Sequence, residues 1–305
     1  MTDSLSKNTI PPSIEKILRA SSEISDFPDK KELCFVARSF INATLPHKDP
    51  GEIPLWSRSS NNVTLSIKPD WKIDKQTGES KCVGVPYGTI PRLILFWITT
   101  EAVRKKSRRI ELGHNLSSFM KELGLSPTGG RWGTINRLKE QMMRLFRAKI
   151  SFDYHLSSKD HQEHLWMDMQ VSTKGEFWWS YHQPDQSTVW TSWIELDENF
   201  YEAICSSPVP IDMRILRAIK NSPLALDLYT WISYRSFFST QNRTLYFISW
   251  ESLSKQLGTD YSDMKDFKKN IKNTSKKILS LSPNVRVSFC AKGVSVHPEQ
   301  KEIAS

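Results

Sequence analysis

The order of apolar and polar positions divides the chain into an unpatterned start and two halves of similar rhythm. Residues 1–30 are polar, hold Pro11, Pro12 and Pro28, and carry only one short apolar pattern (Ile14, Ile17, Leu18), which predicts a short disordered arm. Over residues 30–43, Leu33, Val36, Ala37, Phe40 and Ile41 recur at helical spacing and predict a first helix, stopped by Pro46. Val63, Leu65 and Ile67 alternate with polar residues as in a half-buried strand, between proline-bearing loops around Pro50 and Pro86.

From Arg92 the pattern sharpens. LILFWITTEAVRKK predicts a buried helix with a basic C-terminal end, a polarity the helix dipole favours. A short strand over 110–112 follows, then a helix over 115–123 with Leu116, Phe119, Met120 and Leu123 inward and Gly124 at its C-terminus. After LSPTGG a longer helix is predicted over 131–149, with Trp132, Ile135, Leu138, Met142 and Leu145 inward, and then a hairpin from Ile150, Phe152, Tyr154 and Leu165, Met167, Met169, Val171. Short helix, tight turn, long basic helix and hairpin is the order of a winged helix-turn-helix.

The order recurs about 133 residues later. Residues 224–234 predict a buried helix, 245–248 a strand, 250–257 a short helix stopped at Gly258, and 262–281 a long helix with Met264, Phe267, Ile271 and Ile278 inward. VRVSFCAKGVSVHP closes the copy as a hairpin turning at Lys292-Gly293. The expected fold class is therefore α+β, with two tandem winged-helix domains over 31–205 and 206–298, a seam in SSPVP, and a tail over 299–305.

Charge adds a partner class. Of the 305 residues, 42 are Lys or Arg and 33 Asp or Glu, a net charge of +9 that favours a polyanion. Residues 92–149 hold thirteen basic and four acidic residues, whereas 161–205 hold one Lys and eight acids, so the first hairpin and the segment after it repel nucleic acid. On a helical wheel the 131–149 helix turns Asn136, Arg137, Glu140, Arg144 and Arg147 away from its apolar side, a mixed face able to read base edges. Arg131, Thr134 and Gln141 complete the candidate DNA-binding residues of this segment. The second long helix exposes Lys265, Lys269, Lys272, Asn273 and Lys276, a set suited to phosphates.

Catalytic and metal motifs are missing. No CxxC pair joins Cys34, Cys82, Cys205 and Cys290, which predicts reduced thiols and no structural zinc. His155, His161, His164 and His182 include no His-x-His pair of the kind a nicking enzyme needs, and GxxxxGK[ST], HExxH and GxSxG do not occur. The expectation is a non-enzymatic protein with no cofactor and no metal. The longest apolar run, 93–98, is far below the ~20 residues of a membrane span, and the N-terminus shows no secretory pattern, which predicts a cytoplasmic protein with no membrane partner.

Four stretches carry a family. ATLPHKDP (43–50), VPYGTIPRLILFWITTEAVRKKSRRIELG (85–113), SSFMKELGLSPTGGRWGTINRLKEQMMRLF (117–146) and VPIDMRILRAIKNSPLALDLYTWISYR (209–235) resemble the plasmid-encoded RepA replication initiators, the iteron-binding, theta-type class. The likeness runs from about residue 31 to 298, and PTGGRWGTI is its most specific element. The resemblance implies a protein that binds repeated double-stranded origin DNA of a plasmid, opens an AT-rich segment and recruits host proteins such as an initiator and helicase. It also implies third helices that read DNA, and a homodimer in equilibrium with an initiating monomer. The alternative is a winged-helix transcriptional repressor without a replication role.

Overall fold

The structure, a computed structural model, describes residues 12–26, 32–60, 62–113, 115–157, 162–177, 192–257 and 260–298. Among them, α1 (Pro12–Asp26) is a helix, followed by β1 (Leu33–Ala37) and α2 (Arg38–Asn42). Four strands come next: β2 (Trp56–Ser60), β3 (Val63–Lys68), β4 (Trp71–Ile73) and β5 (Ser80–Cys82). The first copy of the repeat is α3 (Thr89–Lys105), β6 (Arg109–Glu111), α4 (Leu116–Glu122) and α5 (Thr134–Arg147), continued by β7 (Lys149–Ser157), β8 (Gln162–Gln170), β9 (Ser172–Glu176) and β10 (Trp193–Leu196). A bridge of α6 (Glu198–Ser206), β11 (Pro208–Asp212) and α7 (Met213–Ile219) leads to the second copy. That copy is α8 (Pro223–Asn242), β12 (Tyr246–Ser249), α9 (Trp250–Gln256), α10 (Met264–Leu281), β13 (Arg286–Phe289) and β14 (Gly293–His297).

The two copies agree in detail. Helices α3 and α8 are apolar on almost every side, and burial on all faces makes them the central helices of their units. Each ends on a basic residue in the left-handed region, Lys106 and Arg243, both with φ of 51°. Each sends a tryptophan indole N–H to a polar side chain 25 positions on: Trp97 Nε1 to Glu122 Oε2 at 2.7 Å, and Trp231 Nε1 to Gln256 Oε1 at 2.9 Å. Short helices α4 and α9 are capped alike, Asn115 accepting from the Ser118 N–H and Ser249 from the Ser252 N–H. The three-stranded sheets β6-β10-β9 and β12-β14-β13 have the same strand order relative to their helices.

That match corrects the expected first hairpin. The equivalent of β13–β14 is β9–β10, and β7–β8 is an insertion between α5 and β9 that joins β2 and β3 in a four-stranded sheet, β2-β3-β7-β8. Ile150 and Phe152 of β7 are buried against Leu65 and Ile67 of β3, so their alternation reports this second sheet. Of the residues around 188–196, the structure describes only those from 192 on; Gly258, His161, His182 and the tail lie outside the described residues.

Four further expectations change. The segment 30–43 is half strand: Leu33–Ala37 pairs antiparallel with Pro208–Asp212, and helix begins only at Arg38. The same pairing crosses the expected seam, because SSPVP runs from the end of α6 into β11. Part of the expected arm is helix α1, whose Ile17, Ala20 and Ile24 pack against the core beside α7 and α10, with Ser21 Oγ donating to the Ser280 carbonyl at 2.6 Å. Met264, expected inward, is exposed at the start of α10.

Where the halves meet, Arg92 of α3 and Asp227 of α8 form a buried ion pair, both side chains under 7% exposed. Arg92 Nε and Nη2 donate to the two Asp227 oxygens at 2.7 and 2.8 Å, and its remaining N–H groups reach the carbonyls of Leu45, Pro46 and Gly88. All five guanidinium donors are thereby used. His47 Nε2 lies 2.8 Å from Asp227 Oδ2. Burial alone would raise the Asp227 carboxyl, but Arg92 and the His47 hydrogen bond outweigh it and hold the group below its ordinary value. Burial lowers His47 against the opposing pull of Asp227, so the ring is neutral and donates from Nε2.

Asp227→Asn is expected to destabilise the chain by about 3–5 kcal/mol, since it strands a buried guanidinium; urea unfolding at neutral pH measures this. Both shifted groups have folded values below their unfolded ones. Their stability is present at neutral pH and is lost on acidification, first through the ordinary histidine range for His47 and then below the ordinary carboxylate range for Asp227. His47→Gln should abolish the first phase only, and an unchanged pH profile in that variant would exclude the histidine as its source.

Candidate nucleic-acid interface

Helix α5 is positioned by its preceding loop. Thr128 and Thr134 bind each other reciprocally, the Thr128 N–H donating to Thr134 Oγ1 and the Thr134 N–H to Thr128 Oγ1, both at 2.9 Å. Asn136 Nδ2 donates to the Gly130 carbonyl at 2.8 Å, and Gly130 adopts a φ of +84°. At Gly133 a Cβ would fall 2.3 Å from the carbonyl oxygens of Thr128 and Gly129, so only glycine fits. PTGGRWGT is thus a closed knot that sets the angle of α5, with Thr134 and Asn136 spending their polar groups on it.

Ile135, Leu138, Met142, Leu145 and Phe146 are buried, as the apolar period requires. Gln141 is buried too, its Oε1 accepting the Tyr87 N–H at 2.9 Å; it holds residues 83–88 against the helix and does not face outward as expected. Arg144 is also redirected. Its side chain is 13% exposed, paired with Glu140 at 2.7 Å and Asp49 at 3.2 Å, bonded to the Val85 carbonyl, and stacked over Tyr87. Gly84 lies so close that a Cβ there would approach the guanidinium to 2.7 Å. Burial, together with Asp49 and Glu140, pushes the Tyr87 phenol up and keeps it neutral under that arginine.

What remains outward on α5 is Arg137, Glu140 and Arg147, the last joined to Asp70. In front of the helix stand Arg131 and Trp132. Trp132, expected inward, is 84% exposed with the Arg131 guanidinium 5.2 Å above its ring. It precedes the first helical residue, so the wheel that placed it inside did not apply. A bare indole at a loop tip offers a stacking or wedge surface beside basic groups.

Apart from the exposed Met264, helix α10 follows its expected apolar pattern. Asp263 caps it, accepting from the Lys265 N–H at 2.7 Å, and Phe267, Ile271, Ser275, Ile278 and Leu281 are buried. Lys265, Lys269, Lys272, Asn273 and Lys276 are exposed. Lys268 instead lies over the Trp250 ring at 5.7 Å. Among the described residues no cluster of His, Cys, Asp or Glu could hold a metal; His155 and His164 stack across β7 and β8 at 4.9 Å. Among the same residues no helix is long and apolar enough to cross a membrane.

The fold and its surface define a mixed α/β protein made of two equivalent units, each presenting a basic long helix. The chain belongs to the plasmid-encoded RepA protein family, whose model matches residues 85–252, from the segment before α3 into α9. Membership supports a role in plasmid replication initiation. A crystal structure of domains 2 and 3 of RctB is similar, with 10% identity over 86% of this chain and 98% of that one and a TM-score of 0.51. A second RctB structure of the same domains gives 11% identity over 86% and 96%, with a TM-score of 0.48. Nothing among curated proteins matches the chain.

Thr134→Val is expected to cost about 1–3 kcal/mol by leaving the Thr128 N–H and the Ser126 carbonyl without their partner, and Arg144→Ala to lower the unfolding midpoint as well. Arg137→Ala, changing an exposed side chain, should leave it within about 0.5 kcal/mol. Chemical unfolding of the three variants separates scaffold from surface, and a loss in Arg137→Ala equal to that in Arg144→Ala would remove Arg137 from the free face.

Proposed function

We propose that the protein is a plasmid replication initiator that acts without enzymatic chemistry. In this reading each strand–helix–helix–ribbon unit is a winged helix, with α5 and α10 as the elements that enter duplex DNA at repeated origin sites. The observation that carries it is the pairing of two equivalent long helices, both with basic outer faces, in a chain of the plasmid RepA family. Arg131 just before α5, and Arg137 and Glu140 on it, bring the donor and acceptor types that distinguish base edges. On α10 the lysines suit phosphates. Binding at adjacent repeats opens a neighbouring AT-rich tract, and host initiator and helicase are recruited there.

The monomer–dimer equilibrium is part of this proposal. A repressor of the same fold is the second reading, because the helix surfaces alone serve either role.

A supercoiled plasmid carrying the DNA that flanks this gene tests the proposal: local opening at an AT-rich tract supports it, binding without opening supports the repressor, and a nick contradicts both. Within that assay, Arg137→Ala should reduce the preference for repeat over random DNA by about 1–3 kcal/mol. Lys269→Ala and Lys276→Ala should weaken both DNAs alike and lower the salt slope by about one unit per lost contact. Full discrimination retained by Arg137→Ala would deny α5 its reading role.

A further inference from the structure

Between β3 and α3 the chain makes a separate two-stranded ribbon, β4–β5, in the register Trp71↔Cys82, Lys72↔Lys81, Ile73↔Ser80. It is rooted at the C-terminal end of α5. Asp70 pairs with Arg147, the Val83 N–H donates to the Asp70 carbonyl at 2.8 Å, and the chain then returns along α5 through Gly84 and Tyr87.

Its charges are arranged against its own stability. Lys72 and Lys81 stand directly opposite each other, and at the root Lys68 stands directly opposite Lys149, the second residue after α5. Like charges facing across a ladder repel. All four are exposed, and among the described residues none forms an ion pair. Of the nearby acids, Asp70 is held by Arg147, and Asp74 Oδ1 accepts the N–H groups of Gln76 and Thr77 at the turn; Asp74 attracts Lys81 through space, and neither it nor the exposed Glu79 closes to an ion pair with any of the four lysines. Strand alternation puts Trp71 and Ile73, 45% and 71% exposed, on the face opposite Lys72 and Lys81. Over the paired strand residues the ribbon therefore has one lysine face and one apolar face, with Asp74 and Glu79 beyond them at the turn.

We propose that this ribbon is a third DNA-contacting element, a phosphate-binding arm that grips the backbone beside the stretch occupied by α5. This rests on the reading of α5 as a DNA-facing helix. Two facing lysine pairs that repel in the free protein become favourable when anionic phosphates lie over them, and counterion release adds to the gain. Their attachment to α5 through Arg147 and Asp70 fixes where along the duplex the arm can reach. The contact adds affinity and register and reads no base.

The test uses the full chain and mixed-sequence duplex DNA several helical turns long, with binding followed across a salt series. Lys72→Ala/Lys81→Ala should lower the salt slope by about 1.8, the loss of two phosphate contacts, and Lys68→Ala/Lys149→Ala should do the same. Lys72→Arg/Lys81→Arg should retain the slope. Thermal unfolding at low salt should show Lys72→Ala/Lys81→Ala no less stable than the parent chain, because repulsion has been removed, so weakened binding cannot be assigned to misfolding. An unchanged slope in both double variants, with Lys269→Ala still reducing it, would overturn the arm and leave the initiator reading intact. A parent chain that does not bind duplex DNA would overturn both.

Discussion

The architecture hangs on a single buried guanidinium. Arg92 uses every donor it has, two on Asp227 of the other half and the rest on the carbonyls of Leu45, Pro46 and Gly88, so one side chain orients both central helices and two connecting segments. A charge this deep is tolerated only when fully paired, and here every donor has a partner. Specificity of orientation, more than net stability, is what such a pair supplies, and orientation is what two helices need if they are to meet one duplex in register.

Around this point the duplication shows at several levels. Trp97 and Trp231 make equivalent hydrogen bonds to Glu122 and Gln256, and Lys106 and Arg243 end their helices in the same left-handed conformation. The copies diverge where they face outward. The first has the glycine knot, the exposed Trp132 and the inserted β7–β8; the second has a lysine face and a plain ribbon. Common interiors with different surfaces suit two units that touch one ligand in different ways.

Periodicity made the long helices legible. Ile135, Leu138, Met142 and Leu145, and Phe267, Ile271 and Ile278, fall inside as their spacing demands. It failed where a partner is distant or chemistry is plain. Leu33, Val36 and Ala37 satisfy a helical spacing, yet their strand partner lies beyond residue 207, out of reach of any local window. The β9 segment STKGE has no apolar alternation to announce it, whereas the inserted β7 has a clear one. Arg144 sits on the polar arc of its helix, but the returning chain at 83–88 covers that arc. The candidate site was thus legible as a helix face and not residue by residue. The repeated spacing of Trp97 to Glu122 and Trp231 to Gln256 was the available signal that would have aligned the copies more closely.

The antiparallel pair β1–β11 bears on how the chain is made. Glu32, at the edge of that pair, meets Arg217 across 185 positions of sequence. At roughly 5–20 residues per second, a ribosome needs on the order of 10–40 s to deliver the second partner after the first. During that interval the strand Leu33–Ala37, with Cys34 and Val36 destined for the interior, has no edge to join. The first half can therefore mature only after the second has begun to emerge, and a nascent chain stalled before β11 would present an open apolar strand to chaperones or to other nascent copies on the same message.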